Sequence, residues 1–211
     1  MKKFLKLLIK NYLNLIYHRK SNRIKAAAYQ YEMKNHYTSL DIYNALEMLI
    51  DKSIPLKNII IVCIGTDRAT GDSLGPIVGH KLKELFYHGP LVLGTLKSPV
   101  HGKNLITISD YINIIYPNGY IIAIDACLGS VDSIGNIYVE RGPLYPGSAL
   151  NKNLPPIGDI GITAVVNSLS SDSFSTLQNT RLFTVISIAE IICNGILKFI
   201  VSRETYQNKD E

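Results

Sequence analysis

Several apolar runs along the chain lack a helical period. The run Ile59-Ile60-Ile61-Val62-Cys63-Ile64 is continuous, β-branched and stopped by Gly65, the pattern of a strand buried on both faces. Residues 91–96 predict a second, short strand, and residues 120–124 a third buried strand ended by Asp125. Residues 135–141 alternate as an exposed or edge strand does, and residues 160–166 predict one more. Between these runs the apolar spacing becomes helical, over residues 73–86, 105–115 and a long apolar 181–200. Upstream, residues 40–50 predict a helix with Thr38 or Ser39 as its N-cap. Strand, helix, strand, helix, strand within about 65 residues predicts right-handed crossovers and a parallel sheet with helices on both faces.

A chain of 211 residues, 46% hydrophobic and 18% charged, is one globular domain with an appendage rather than a disordered chain. The expected division is a basic amphipathic N-terminal helical arm over 1–50, a single α/β domain over 51–201 and a polar, frayed tail over 202–211. Three widely spaced cysteines, Cys63, Cys127 and Cys193, exclude a disulfide framework and a CxxC metal knuckle. They fit a reducing interior.

The formal charge of +5 sits in the arm. Residues 1–25 hold eight Lys or Arg and no acid; the rest carries 14 basic against 17 acidic residues, a net of −3. The body is therefore no nucleic-acid platform. In the arm, Phe4, Leu5, Leu8, Tyr12, Leu15 and Ile16 recur at helical spacing, with Lys3, Lys6 and Lys10 on another face. Lysine interrupts this segment too often for it to span a bilayer. Two readings stand open: peripheral contact of residues 1–25 with an anionic membrane, or a helix docked on the body.

Open parallel sheets bind ligands at the carboxyl ends of their strands, near a switch point. Past those ends lie three segments: Thr66-Asp67-Arg68-Ala69-Thr70-Gly71-Asp72, Ser98 to Asn104 with His101, and Asp125-Ala126-Cys127. An acid ending a fully apolar strand is costly unless paired, hydrogen-bonded or metal-bound. Asp72 and Asp125 are the candidate catalytic acids: they share a proton and polarise water, or ligate a divalent metal. His101 is a third candidate, as a general base. Thr66, Asp67, Arg68, Gly71 and Asn104 are candidates for holding substrate, and Asp159 for joining the same rim. A salt bridge between Asp67 and Arg68 is expected within the loop. The first loop lacks GK[ST] and GxGxxG, which weakens a phosphate-binding reading.

The segment Cys63-Ile64-Gly65-Thr66-Asp67-Arg68-Ala69-Thr70-Gly71-Asp72-Ser73-Leu74-Gly75-Pro76, with Ile124-Asp125-Ala126-Cys127-Leu128-Gly129, resembles the YyaC family of sporulation proteins. Pro99-Val100-His101-Gly102-Lys103-Asn104, Leu154-Pro155-Pro156-Ile157-Gly158-Asp159 and Leu177-Gln178-Asn179-Thr180-Arg181 support it, over roughly residues 58–195. That family is similar to the spore germination protease and, more remotely, to hydrogenase maturation endopeptidases. The resemblance implies a three-layer sandwich with a mainly parallel sheet, phosphorylase/hydrolase-like, and places essential aspartates at Asp72 and Asp125. It implies a peptidase-like protein of the sporulating cell or forespore, cytoplasmic, with protein or peptide substrates such as small acid-soluble spore proteins. A spore protein that binds a peptide or small ligand in the same crevice, without turnover, is the alternative. In the hydrogenase-maturation group the two acids bind the substrate's metal with a later histidine; this chain has no histidine after His101.

Overall fold

The computed structural model describes residues 28–33, 35, 38–86, 89–147 and 154–207. The amphipathic pattern of residues 4–17, with both readings of the arm, lies outside them. In chain order the elements are β1 (Ala28–Glu32), α1 (Thr38–Leu49), β2 (Ile59–Cys63), a 3-10 turn (Gly71–Ser73), α2 (Leu74–Leu85), β3 (Leu91–Leu93), α3 (Leu105–Ile115), β4 (Tyr120–Gly129), β5 (Asn136–Arg141), β6 (Ile160–Ser168), α4 (Ser173–Gln178) and α5 (Leu182–Gln207).

The strands form one mixed sheet in the order β1-β5-β6-β4-β2-β3. β3, β2, β4 and β6 are mutually parallel, whereas β5 runs antiparallel to both β6 and β1. The fold is thus α/β with a six-stranded, mostly parallel sheet. From β2 the chain crosses to β3 on one side and returns to β4 on the other, which puts the switch point between β2 and β4. All five residues of β2 are buried, as its continuous apolar run requires.

The two faces of β2 feed two cores. Ile59, Ile61 and Cys63 pack with α1, α2 and α5; Ile60, Val62 and Ile64 pack with Leu105 and Ile112 of α3 and with Leu144 and Ile157. α5 is long and apolar enough to cross a membrane, yet half of its apolar window is buried in this body. Val185, Ile188, Ile192, Ile196 and Phe199 are core residues, and the helix packs on α1 and α2.

Three expectations are corrected. Residues 28–50 are not an arm: β1 closes the sheet on β5, and α1 buries Ile42, Ala45, Leu46 and Leu49 at helical spacing. Consequently β5 is not an edge strand, since β1 covers the side that β6 leaves open. Nor does a frayed tail begin at Ser202, because α5 continues to Gln207 and Arg203 is 4% exposed.

Arg203 caps α1, which has no basic residue in its last turn. Its guanidinium donates to the carbonyls of Ile50 (2.7 Å) and Asp51 (3.1 Å), lies 3.5 Å from Glu47 Oε1 and stacks on Phe199. Arg141 of β5 donates to the Leu49 carbonyl at 2.6 Å. Carbonyls at the end of α1 are thus satisfied from two distant elements, while Arg203 Nε and Glu47 Oε1 are buried as an ion pair with no hydrogen bond among the described residues. Arg203→Leu is expected to cost about 2–4 kcal/mol in urea unfolding, because it strands these partners. Lys81→Ala breaks only an exposed pair with Glu190 and is expected to cost less than about 1 kcal/mol.

Candidate functional site

The site is built where β2 stops and β4 does not. β2 ends at Cys63, opposite Ile124, while β4 continues to Gly129 alongside β6. Asp125 is therefore the first residue of β4 beyond the end of its neighbour, paired on its other side with Thr163 of β6. The expected strand end at Asp125 is corrected: β6 supplies a ladder that carries the strand on.

The chain leaving β2 turns sharply at Gly65, whose φ of +139° favours glycine and where a Cβ would collide with the Asp72 carbonyl. The Thr66 N–H donates to that carbonyl at 3.0 Å, so the loop doubles back and fixes Asp72 at the start of α2. Gly75, one turn on, lets α2 sit directly against the Ile64 backbone, which a side chain would block.

Asp125 is 9% exposed and accepts a hydrogen bond from the Ala126 N–H at 2.9 Å. Burial, and next the charge of Asp72, hold its carboxyl well above the usual carboxylate range; the Ala126 N–H works against them. The two acids, with His101, Cys127 and Thr163, line a crevice of about 110 Å³ walled by Ile64, Leu144, Pro146, Leu154 and Leu177. His101 enters from the loop before α3. Asn104 holds that loop, accepting from the His101 N–H (2.8 Å) and donating to the Pro99 carbonyl (3.0 Å). His101 Nδ1 is buried with no hydrogen-bond partner among the described residues.

Asp72, His101 and Asp125 thus meet in one crevice, while the other candidates do not line it. Thr66 braces its own loop by accepting from the Arg68 N–H at 3.3 Å. Asp67 and Arg68 are exposed, and no ion pair joins them among the described residues. Gly71 packs against Leu177 and Thr180. Asn104 spends both ends of its side chain on the loop. Asp159 is corrected outright: it exchanges hydrogen bonds with the Ile121 backbone (2.8 and 2.9 Å) at the amino ends of β4 and β6. Four residues of strand separate that end from Asp125, roughly 13 Å.

Cys127 stood in the expected rim segment without a role, and Thr163 was not expected in the site. Cys127 shares a face of β4 with Asp125, two residues away, a relation visible only once the strand runs past the acid. Burial, then the Asp125 charge, push its thiol up to about 12, with the Thr163 hydroxyl opposing. It is a neutral thiol, not a thiolate nucleophile. Among the described residues no three His, Cys, Asp or Glu stand close enough to hold a metal ion. A larger depression of about 380 Å³ beside α4 contains one carboxylate, Asp172, which caps that helix by accepting from the Ser175 N–H.

The family described as "Protein of unknown function (DUF1256)" matches residues 29–195. The chain belongs to that family. A relative from Bacillus subtilis (strain 168), "Uncharacterized protein YyaC", is 45% identical over 140 residues, covering 66% of this chain and 68% of that protein. The DUF1256 match includes both acids and His101, and begins inside β1, in agreement with the place of β1 and α1 in the body.

The state of Asp125 has a measurable consequence for this DUF1256 protein. An unfolded aspartate loses its proton near pH 3.9, whereas folded Asp125 keeps it to higher pH. The folded state then binds more protons, so this group's contribution falls as pH rises above 4. Asp125→Asn removes the penalty and retains an acceptor for the Ala126 N–H. Its melting midpoint at pH 7 is expected to exceed the parent's, by about 2–4 °C for each kcal/mol of penalty removed. The gap should close near pH 4, and equal midpoints at pH 7 would contradict the assignment.

Proposed function

We propose that the chain is a peptidase-like hydrolase whose Asp72 and Asp125 hold one proton between them and drive water onto an internal peptide bond. The observation that carries this reading is Asp125, buried at the switch-point crevice, where burial and the charge of Asp72 raise its carboxyl well above the usual carboxylate range. A carboxyl group raised in this way beside a second one can serve as the acid while its neighbour serves as the base. In the proposed step the Asp72 carboxylate takes a proton from water as its oxygen bonds to the carbonyl carbon, while Asp125 gives its proton to the carbonyl oxygen. Collapse of the tetrahedral species returns a proton to Asp125, breaks the C–N bond and passes the Asp72 proton to the departing amine. His101 Nδ1 supplies a further polar contact for the reacting group.

The likeness of the Gly65–Pro76 and Asp125 segments to the spore germination protease supports this reading. It extends the proposal to a phosphorylase/hydrolase-like fold and to work in the cytoplasm of the sporulating cell or forespore. Small acid-soluble spore proteins are the first substrates to try.

Intact mass spectrometry after incubation with those proteins tests it. Site-specific cleavage is expected, reduced at least about a hundredfold by Asp72→Asn and by Asp125→Asn, and loss of cleavage with chelator would show that a divalent metal assists the pair. Activity should decline on the alkaline side, where the pair loses its remaining proton. Absence of cleavage with folded protein would overturn the peptidase reading for this substrate and favour a protein that binds in the crevice without turnover.

A further inference from the structure

The crevice continues into an open strand edge. β6 accompanies β4 to Gly129, but on the other side β2 accompanies it only to Ile124, whose carbonyl accepts from the Ile64 N–H at 2.7 Å. Successive residues of a strand direct their backbone groups to opposite sides. Ile124 faces β2, so Ala126 and Leu128 present theirs to the same side, beyond the end of β2. The Gly129 carbonyl, which accepts from the Leu169 N–H, faces the β6 side as this alternation requires. Among the described residues no strand pairs with the β2 side of residues 125–129, and residues 126–129 are half-exposed. The Ala126 N–H is held by the carboxyl of Asp125. A row of backbone donors and acceptors of this kind is a template for an added strand.

The crevice beside this edge limits what is added. Its volume is about 110 Å³. Sites that bury a drug-sized molecule begin near about 300 Å³. The space takes one side chain, not a whole small molecule. Ile64, Leu144, Pro146, Leu154 and Leu177 make its walls apolar, and among the described residues no lysine or arginine lines it. An anionic side chain placed there would lose its water against those apolar walls, beside the buried Asp125 carboxyl.

We propose that residues 126–129 of β4 form a strand-addition site for an extended, uncharged polypeptide segment. One aliphatic side chain of that segment enters the crevice, and its backbone passes Asp72 and Asp125. The proposal names the substrate class of the site described above and rests on the hydrolase reading only for cleavage, since pairing requires no turnover.

Amide hydrogen exchange and NMR titration of the full-length wild type and Asp72→Asn proteins test it. The probes are a capped pentapeptide Ala-Ala-Leu-Ala-Ala, its form with aspartate at the centre, and two forms N-methylated at alternate amides. The leucine peptide should protect the Leu128 amide, the Ala126 N–H being already held by Asp125. The aspartate peptide and one of the two methylated registers should bind about tenfold more weakly. Unchanged exchange over residues 126–129 at millimolar leucine peptide, or equal binding by both methylated forms, would overturn strand addition. Protection without cleavage by wild type would uphold it while sinking the peptidase reading; cleavage with unchanged exchange would do the reverse.

Discussion

A carboxyl group buried beside a second acid keeps its proton only while its surroundings stay dry and its neighbour stays close. Much of the switch-point architecture serves that condition for Asp125. The shortness of β2 opens the space, and the longer β4, laddered to β6, carries the acid into it without fraying. The loop from Gly65 folds back on the Asp72 carbonyl, and Gly75 lets α2 descend onto Ile64. A side chain at either glycine would lift α2 and withdraw Asp72 from its partner. The local cost is a buried ionisable group that weakens the fold as pH rises, the kind of local conflict expected at functional positions.

The scaffold bears that cost by being stiff elsewhere. One face of the sheet is covered by α1, α2 and α5, and most of the large fully buried side chains lie there. Arg203 and Arg141 lock the carboxyl end of α1 to α5 and β5, so the helical layer is joined by polar contacts as well as apolar ones. The opposite face has α3 and the Leu144–Ile157 region, a thinner cover that leaves room for the crevice.

Much of this was legible in the residues. Continuous β-branched runs located β2 and the start of β4, and helical spacing located α2, α3 and α5, because each buries a face whose period the sequence must carry. The strand-end argument picked Asp72, His101 and Asp125, and the crevice joins these three. What was illegible has physical reasons. Asp125 reads as a strand terminator only if its neighbours are ignored; the partner that extends β4 lies nearly forty residues later. β1 is short and alternates exposed with half-buried positions, so its pairing with β5 depends on tertiary contact. Arg203 looked like tail because a charge in a helix reads as solvated unless its distant carbonyl partners are known. Asp159 was drawn to the wrong end of the sheet because a turn residue shows no direction in sequence. Membership of DUF1256 agrees with the legible part and extends the family's body into β1.

The account rests on one proton held by Asp125 under the influence of Asp72. Carboxyl carbon NMR of aspartate-labelled protein, titrated from acid to alkaline pH and assigned through Asp125→Asn, reads it directly. Asp125 should titrate well above the usual carboxylate range, and Asp72→Asn should move its midpoint down. An Asp125 signal that titrates near pH 4, unaffected by Asp72→Asn, would contradict the account.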